Sequence, residues 1–425
     1  MKRRTIFAVT ILAAALAGCQ ANYSLLSTSP SRYEALDVEI PLDQMPTEKL
    51  YVPKVRSRAP QSPTFGNGAT IYVSPKESYP ALKEMIRDAK ESIYLETFSF
   101  AYDEMGKELA GLLIDKAKSG LEVKVLMDYV GSRFAPDYKE LLKALRAGGV
   151  EAQVYRPRAI VKDDEEHSFN ITHRKVYLAD GEVALIGGVN LHAPFHKTVQ
   201  DVLIHWQGPI VNQLYNEFSY DWHAAKGGTL RQTPHSVAVP GGIDAQLTVT
   251  SPPEGRFETR DLIYSKIDGA KREIVIENQY LWDDRLITRL HAAVRRGVKL
   301  RMMVPGQSHG ALFRNIHSEE LNNLIKEGAE AKLYHGIPAD AHLHVKYFSI
   351  DDQWATIGST NGDTRGFQDN QELNVSFTDP AKVVELRQRL FEHDWTQSSE
   401  PFVYKKASLF TKPFRKILEA IDYYL

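Results

Sequence analysis

Two stretches of the chain carry residues that could do chemistry, and they carry them in the same order. Residues 172–190 read THRKVYLADGEVALIGGVN, and residues 343–361 read LHVKYFSIDDQWATIGSTN. His173 and His344, Lys175 and Lys346, Asp180 and Asp351, Gly187 and Gly358, and Asn190 and Asn361 are each 171 residues apart. One further pair keeps that spacing: Asp201 and Glu372, each 28 residues after its histidine. Two imidazoles among lysine and amide donors suit a phosphoryl group, whose three oxygens need cationic and hydrogen-bond partners. One neutral imidazole can attack phosphorus while the other, protonated, gives its proton to a departing alcohol. An acid on a returning pass of chain can hydrogen-bond each ring, set its tautomer and support a positive charge. No metal and no cofactor is expected, because the lysines neutralise the phosphate and a metal site would want histidines converging with carboxylates or thiolates, without lysines at i+2.

These side chains need particular elements. HRKVYL and HVKYFSI read as strands, so each His and Lys at i and i+2 share a face. Asp180-Gly181 is a hairpin-turn dipeptide, and Asp351-Asp352 fills the matching place. EVALI and QWATI then run back to Gly187-Gly188 and Gly358-Ser359, small residues that let a ligand approach the backbone.

The repeat extends beyond the motif. AKESIYLE (89–96) answers AKREIVIE (270–277), each leading into a strand. GKELAGLLIDKAKSG and LITRLHAAVRRG are amphipathic helices stopped at Gly120 and Gly297. VKVLMD and VKLRMMV are buried-looking strands, and KELLKALRAGGVEAQVY mirrors EELNNLIKEGAEAKLY. Both halves close on Phe-x-x-Asp-Trp, at Phe218/Asp221/Trp222 and Phe391/Asp394/Trp395, where a buried aromatic is expected to seal each half. The alternation predicts an α/β fold of two similar domains with mainly parallel mixed sheets, related by a pseudo-two-fold axis. The expected boundaries are 64–230 and 245–400, joined by a Gly/Pro-bearing linker at 231–244.

Composition bounds the partners. The 425 residues are 43% hydrophobic and 25% charged, with a net charge of −2. Without the first 18 residues the balance is 49 basic against 54 acidic, which argues against a nucleic-acid partner. MKRRTIFAVTILAAALAGC has a positive start and an apolar run too short to span a bilayer, and reads as a signal peptide over 1–18. The single cysteine, Cys19, follows Leu16-Ala17-Gly18, as in a bacterial lipobox. That resemblance implies cleavage before Cys19 and lipid attachment there. Gln20 in place of Asp favours the outer membrane by the rule for such lipoproteins, with the protein facing the periplasm. Residues 19–63, with scattered prolines, read as tether and lead-in. The tail at 401–425 is basic and has helical apolar spacing at Phe414, Ile417, Leu418, Ile421 and Leu425. It reads equally as a segment lying on an anionic membrane and as a capping helix.

The doubled pattern H-x-K-x4-D-x6-G-[GS]-x-N resembles the phospholipase D superfamily over roughly residues 65–400. The run from YLETFSF through GGVNL, VQDVLIHWQGP and FSYDW, with GSTNGDTRGFQDNQELNV in the second half, is most similar to bacterial cardiolipin synthases. The resemblance implies a bilobal phospholipase D-like fold and phospholipid substrates, phosphatidylglycerol among them. It implies His173 as the nucleophile that forms a phosphohistidine, and His344 as general acid and then base. By the same resemblance Lys175, Lys346, Asn190 and Asn361 hold phosphate, Asp201 and Glu372 orient the histidines, and Asp180 and Asp351 are structural. Both half-sites lie in one chain, so a monomer is chemically sufficient. The usual synthase carries N-terminal transmembrane helices where this chain has a lipobox, and FNITH lacks the basic residue many synthases place before the first histidine.

Hydrolysis to phosphatidic acid uses the same residues and is the alternative activity. A periplasmic nuclease and a non-catalytic lipid-binding module are the other classes; the acidic balance opposes the first and the complete residue set opposes the second. His192 and His196 fall in a loop near the site and read as solvated loop histidines, with substrate gating as the alternative, and His309, His317, His335 and His342 have no motif around them. Glu96 and Glu277 end matched strands, with a turn role and a substrate-positioning role both open. Ser359 has a hydrogen-bonding and a packing role open.

Overall fold

The computed structural model describes residues 58–155, 171–306, 311–336 and 341–404, with residues 311–317 as backbone alone. Cys19, the signal peptide, the tether up to residue 57 and the tail from residue 405 lie outside the described residues. Everything described belongs to one compact unit, Val52–Leu425.

The first half contributes β1 (Thr64–Tyr72), β2 (Ser92–Thr97), β3 (Glu122–Asp128), β4 (Glu151–Tyr155), β5 (Val176–Ala179), β6 (Val183–Gly187), β7 (Val199–Gln200) and β8 (Leu203–Gln207). The second contributes β9 (Ile243–Ser251), β10 (Arg256–Phe257), β11 (Glu273–Asn278), β12 (Lys299–Pro305), β13 (Glu330–Tyr334), β14 (His342–Leu343), β15 (Lys346–Ile350), β16 (Trp354–Gly358), β17 (Glu372–Phe377) and β18 (Ser399–Pro401). All but β7 and β14 join one sheet. Its order is β4-β3-β2-β5-β6-β8-β1 in the first half, then β9-β17-β16-β15-β11-β12-β13-β18, with β10 beside β9. The second half thus repeats the first in reverse, and β1 pairs with β9 at the centre.

Parallel pairing in this sheet is confined to β2-β3-β4 and β11-β12-β13. Those strands are joined by helical crossovers, Glu104–Lys118 and Tyr138–Ala147 in the first half, Asp284–Arg295 and Ala311–Lys326 in the second. The central strands are antiparallel because the turns at Asp180-Gly181 and Asp351-Asp352 fold each motif strand straight back on itself. Asp180, Gly181, Asp351 and Asp352 all have positive φ, from 55° to 63°, as this tight hairpin turn requires.

Period-two alternation divides the core. On β5, Val176 and Leu178 face a central cluster shared by both halves, while Tyr177 and Ala179 face the helices of the first half. The central cluster holds Trp206, Trp222, Tyr347, Phe377 and Phe391. A third cluster lies under the second half's helices. Because the halves share a sheet and a core, the separation of the two motifs is set by packing and not by the linker. Trp222 is fully buried, as expected of a sealing aromatic. Trp395 is only partly so; it stacks on Phe391 with Arg301 and Lys332 over its ring.

Candidate active site

Each motif histidine sits just before a motif strand, and its backbone is bonded to the other half. His173 N donates to Gln371 O at 2.9 Å, and His344 N donates to Gln200 O at 2.9 Å. Thr172 bridges Gln371, and Leu343 of β14 pairs with Gln200 of β7, both in parallel. Gln200 and Gln371 immediately precede Asp201 and Glu372. This exchange therefore presents each acid to the histidine of the opposite half. His173 Nδ1 lies 2.9 and 3.1 Å from the Glu372 carboxylate oxygens and 3.1 Å from Ser359 O. His344 Nδ1 lies 2.7 Å from Asp201 Oδ2. Sequence spacing suggested an acid for the ring of its own half; the cross-half backbone pairing overrides that. The two ring centroids are 6.4 Å apart at an interplanar angle of 62°. With Nδ1 of each ring held by a carboxylate, Nε2 is the nitrogen left for chemistry.

Both lysines are buried between the histidines' backbones and the acids. Lys175 Nζ donates to His173 O at 2.6 Å. Lys346 Nζ donates to His344 O at 2.5 Å and to Gln279 Oε1 at 3.0 Å, and lies 3.1 Å from His344 Nδ1. Burial, then the charge of both lysines, holds the His173 and His344 rings well below the ordinary imidazole range. Burial pushes Asp201 and Glu372 up to about 7, against the pull of the lysines. Burial lowers Lys175 well below the ordinary lysine value and Lys346 to about 8. The site is thus a desolvated set of two imidazoles, two ammonium groups and two acids titrating near neutrality, a setting in which proton transfer is inexpensive.

The motif aspartates lie at the far end of the motif hairpins, away from these rings. Asp180 accepts from the N–H groups of Lys90, Glu91 and Ser92, and Asp351 from those of Lys271, Arg272 and Glu273. Each holds the entry to β2 or β11 against the hairpin turn. The small pairs leave room for the protein itself. A Cβ on Gly187 would meet Val202 O at 1.8 Å, one on Gly358 would meet Leu373 O of β17 at 2.2 Å, and one on Gly188 would meet Asp201 Oδ1 at 2.4 Å. In the second half Ser359 fits beside the longer Glu372 and donates to its carboxylate. Asn190 and Asn361 are buried, with side-chain oxygens that have no hydrogen-bond partner among the described residues.

Several residues at the site carry no motif signal. Phe98 meets the His173 ring edge-on at 5.0 Å, and Phe195 meets His344 at 4.9 Å. Arg365 adds positive charge near His173. Gln279 binds Lys346; it lies two residues beyond Glu277, as Phe98 lies two beyond Glu96, and only alignment of the halves marks that pair. Glu96 and Glu277 are fully buried and face Asp221 and Asp394 of the closing Asp-Trp motifs. His196 stacks on Tyr79 and His335 pairs with Glu400, whereas His192 meets Phe195 and bears electrostatically on His344. The side chains of His309 and His317 lie outside the described residues, and His342 sits in β14.

A fold of two halves around paired histidines, lysines and crossed acids defines a phosphodiester-transferring protein of the phospholipase D type. The family model described as cardiolipin synthase, PLD-like domain, matches residues 82–222 and 263–395. Cardiolipin synthase B of Escherichia coli (strain K12) is 30% identical over 336 residues, covering 76% of this chain and 80% of that one. Probable cardiolipin synthase YwiE of Bacillus subtilis (strain 168) is 29% identical over 335 residues; the match covers 76% of this chain and 65% of YwiE, just under two thirds of its length. The chain belongs to the PLD-like cardiolipin synthase family and is a cardiolipin-synthase-like phosphatidyltransferase. Its fold is similar to that of phosphatidylserine synthase from Haemophilus influenzae Rd KW20, with a TM-score of 0.62, 14% identity, and coverage of 83% of this chain and 92% of that one. The cardiolipin synthase relatives point to phospholipid substrates. No helix among the described residues is long and apolar enough to cross a membrane.

Proposed function

We propose that the protein moves a phosphatidyl group from phosphatidylglycerol to an alcohol, with a second phosphatidylglycerol as the acceptor that yields cardiolipin. In the first step His173 Nε2 forms a bond to phosphorus, the ester bond to the headgroup glycerol breaks, and His344 gives that oxygen its proton. In the second, His344 takes the proton of the incoming hydroxyl, whose oxygen displaces His173 from phosphorus. Lys175, Lys346, Asn190 and Asn361 hold the phosphate oxygens, and Glu372 and Asp201 orient the rings. The observation that carries this reading is the crossed pairing, with two rings 6.4 Å apart whose Nδ1 atoms are both occupied by carboxylates. That gap accommodates a phosphorus about 3–3.5 Å from the attacking nitrogen and an ester oxygen within reach of the second ring.

The unequal surroundings of the rings support His173 as nucleophile. Among the described residues its Nδ1 faces only acceptors, Glu372 and Ser359 O, so its proton stays there and Nε2 keeps its lone pair. His344 Nδ1 faces both Asp201 and the Lys346 ammonium, a setting in which its protonation can change during turnover. Residues 64–230 and 245–400 act as the two domains of this site. The protein is lipidated at Cys19 and works from the outer membrane, facing the periplasm and a membrane surface.

Purified protein with phosphatidylglycerol vesicles is expected to form cardiolipin and release glycerol, read by lipid mass spectrometry. Phosphatidic acid as the main product, even in excess glycerol, would assign hydrolysis instead. No phosphatidyl transfer to any acceptor would refute the proposal.

A further inference from the structure

The two halves place different chemistry at one matched position beside the phosphate site. Glu96 and Glu277 correspond, and so do the bridges Phe100–Leu191 and Leu281–Gly362 that follow them. Two residues past each glutamate stands Phe98 in one half and Gln279 in the other. Each neighbours its own half's motif lysine: Lys175 Nζ is 5.3 Å from the Phe98 ring centroid, and Lys346 Nζ donates to Gln279 Oε1 at 3.0 Å. Both residues are partly exposed. The Phe98 side offers a ring edge to His173 and no hydrogen bond. On the Gln279 side, Lys346 engages Oε1 and so turns the amide nitrogen away from itself. That Nε2 makes no hydrogen bond among the described residues, which leaves a donor unspent next to a phosphate-binding lysine. The site is therefore apolar beside the attacking ring and hydrogen-bonding beside the ring that handles the alcohol.

Resting on the transferase reading above, we propose that Gln279 is a specificity residue: its carboxamide reads a second hydroxyl on the alcohol that leaves and enters beside His344. The substrate class this selects is a polyol headgroup such as glycerol. A hydroxyl one or two carbons from the ester oxygen lies within reach of a group bonded to the lysine that holds the phosphate. A site built to hydrogen-bond a hydroxyl discriminates strongly against an analogue that lacks it, because a polar group is then left unpaired. Phe98, with no donor or acceptor, has no such role. Gln279 makes and breaks no bond; its effect is on which alcohol is chosen.

The test is a competition. The full-length protein is given phosphatidylglycerol vesicles with equal concentrations of deuterated glycerol and 1-propanol, which have the same carbon count and differ in hydroxyls. Mass spectrometry gives the ratio of deuterated phosphatidylglycerol to phosphatidylpropanol, a ratio that trace product suffices to measure and that the amount of folded enzyme does not alter. The wild type is expected to favour glycerol, and Gln279→Met, similar in length but without hydrogen-bonding capacity, to lower the ratio at least tenfold. Gln279→Leu is the second variant and is expected to match it. A ratio within twofold of wild type in either variant overturns the inference. Wild-type protein that transfers to neither alcohol would instead sink the transferase reading, and this inference with it.

Discussion

Behind the two motif strands lie two buried acid pairs, Glu96 with Asp221 and Glu277 with Asp394, and the halves neutralise them differently. In the first half Arg174, fully buried between the motif's His and Lys, is bonded to Asp221, and Thr172 Oγ1 donates to Glu96 at 2.6 Å. Glu217 ties the same arginine to Arg58 and Arg256. In the second half the matching positions are Leu343 and Val345, whose side chains offer neither charge nor hydrogen bond. Asp394 is reached there by Gln200 from the opposite half at 2.8 Å and by His393 at 2.9 Å. Burial and the facing Asp394 push Glu277 well above the carboxylate range, and burial raises Asp394 too, a setting that favours a proton held between them. One fold position thus holds two buried acids with a counter-cation in one half and without one in the other. Burial raises Glu96 well above the carboxylate range as well, and Asp221 to about 6, against the pull of Arg174.

The largest effects should come from separating the two histidines. With a phosphatidyl ester of p-nitrophenol, whose leaving group needs no protonation, His344→Ala is expected to retain a burst of nitrophenolate. His173→Ala should lose release by a factor on the order of a thousand or more. Equal losses would mean that the halves do not divide the chemistry. Next is Arg174→Met, which leaves Asp221 and Glu217 buried without that cation. A cost of roughly 3–5 kcal/mol is expected in chemical denaturation, and a change under about 1 kcal/mol would refute the counter-cation account.

The proton account is tested through stability against pH. Because the folded-state value of Glu277 is raised, its contribution is complete below the unfolded carboxylate range and is lost as pH rises. Glu277→Gln can donate one hydrogen bond to Asp394 without needing that proton. The fall in melting temperature between pH 5 and pH 8 should therefore shrink in this variant, by circular dichroism; an unchanged fall would refute the shared proton. The smallest effect expected is on the pH profile of kcat/KM. The rising limb should lie near 7, where Asp201 and Glu372 ionise, and the falling limb near 8, where Lys346 loses its proton. Lys346→Arg, always charged, should remove the falling limb, at some cost in rate.

Much of this was legible in the linear chain. The doubled spacing singled out His173, Lys175, His344 and Lys346, which the fold brings together, and the turn dipeptides placed Asp180 and Asp351 in the hairpins, where they accept three successive N–H groups each. Helix stops at Gly120 and Gly297 follow from their positive φ, of 99° and 87°. Less legible was the extent of parallel pairing, since alternation of helices and strands does not say which strands follow a hairpin turn. The expectation that the small pairs open the backbone to a ligand also missed what fills that space, a strand carbonyl and the Asp201 carboxylate.

By itself, the order of residues determined the local parts: which side chains share a strand face, where the chain turns, and that everything occurs twice. Period and turn chemistry act over a few residues, so they can be read without coordinates. Only the tertiary structure decided which acid serves which histidine, that the two half-sheets fuse through β1 and β9, and that Phe98 and Gln279 flank one site. Those outcomes depend on backbone pairing between segments well over a hundred residues apart, and 28-residue spacings that are identical in both halves cannot distinguish a neighbour in the same half from one in the other.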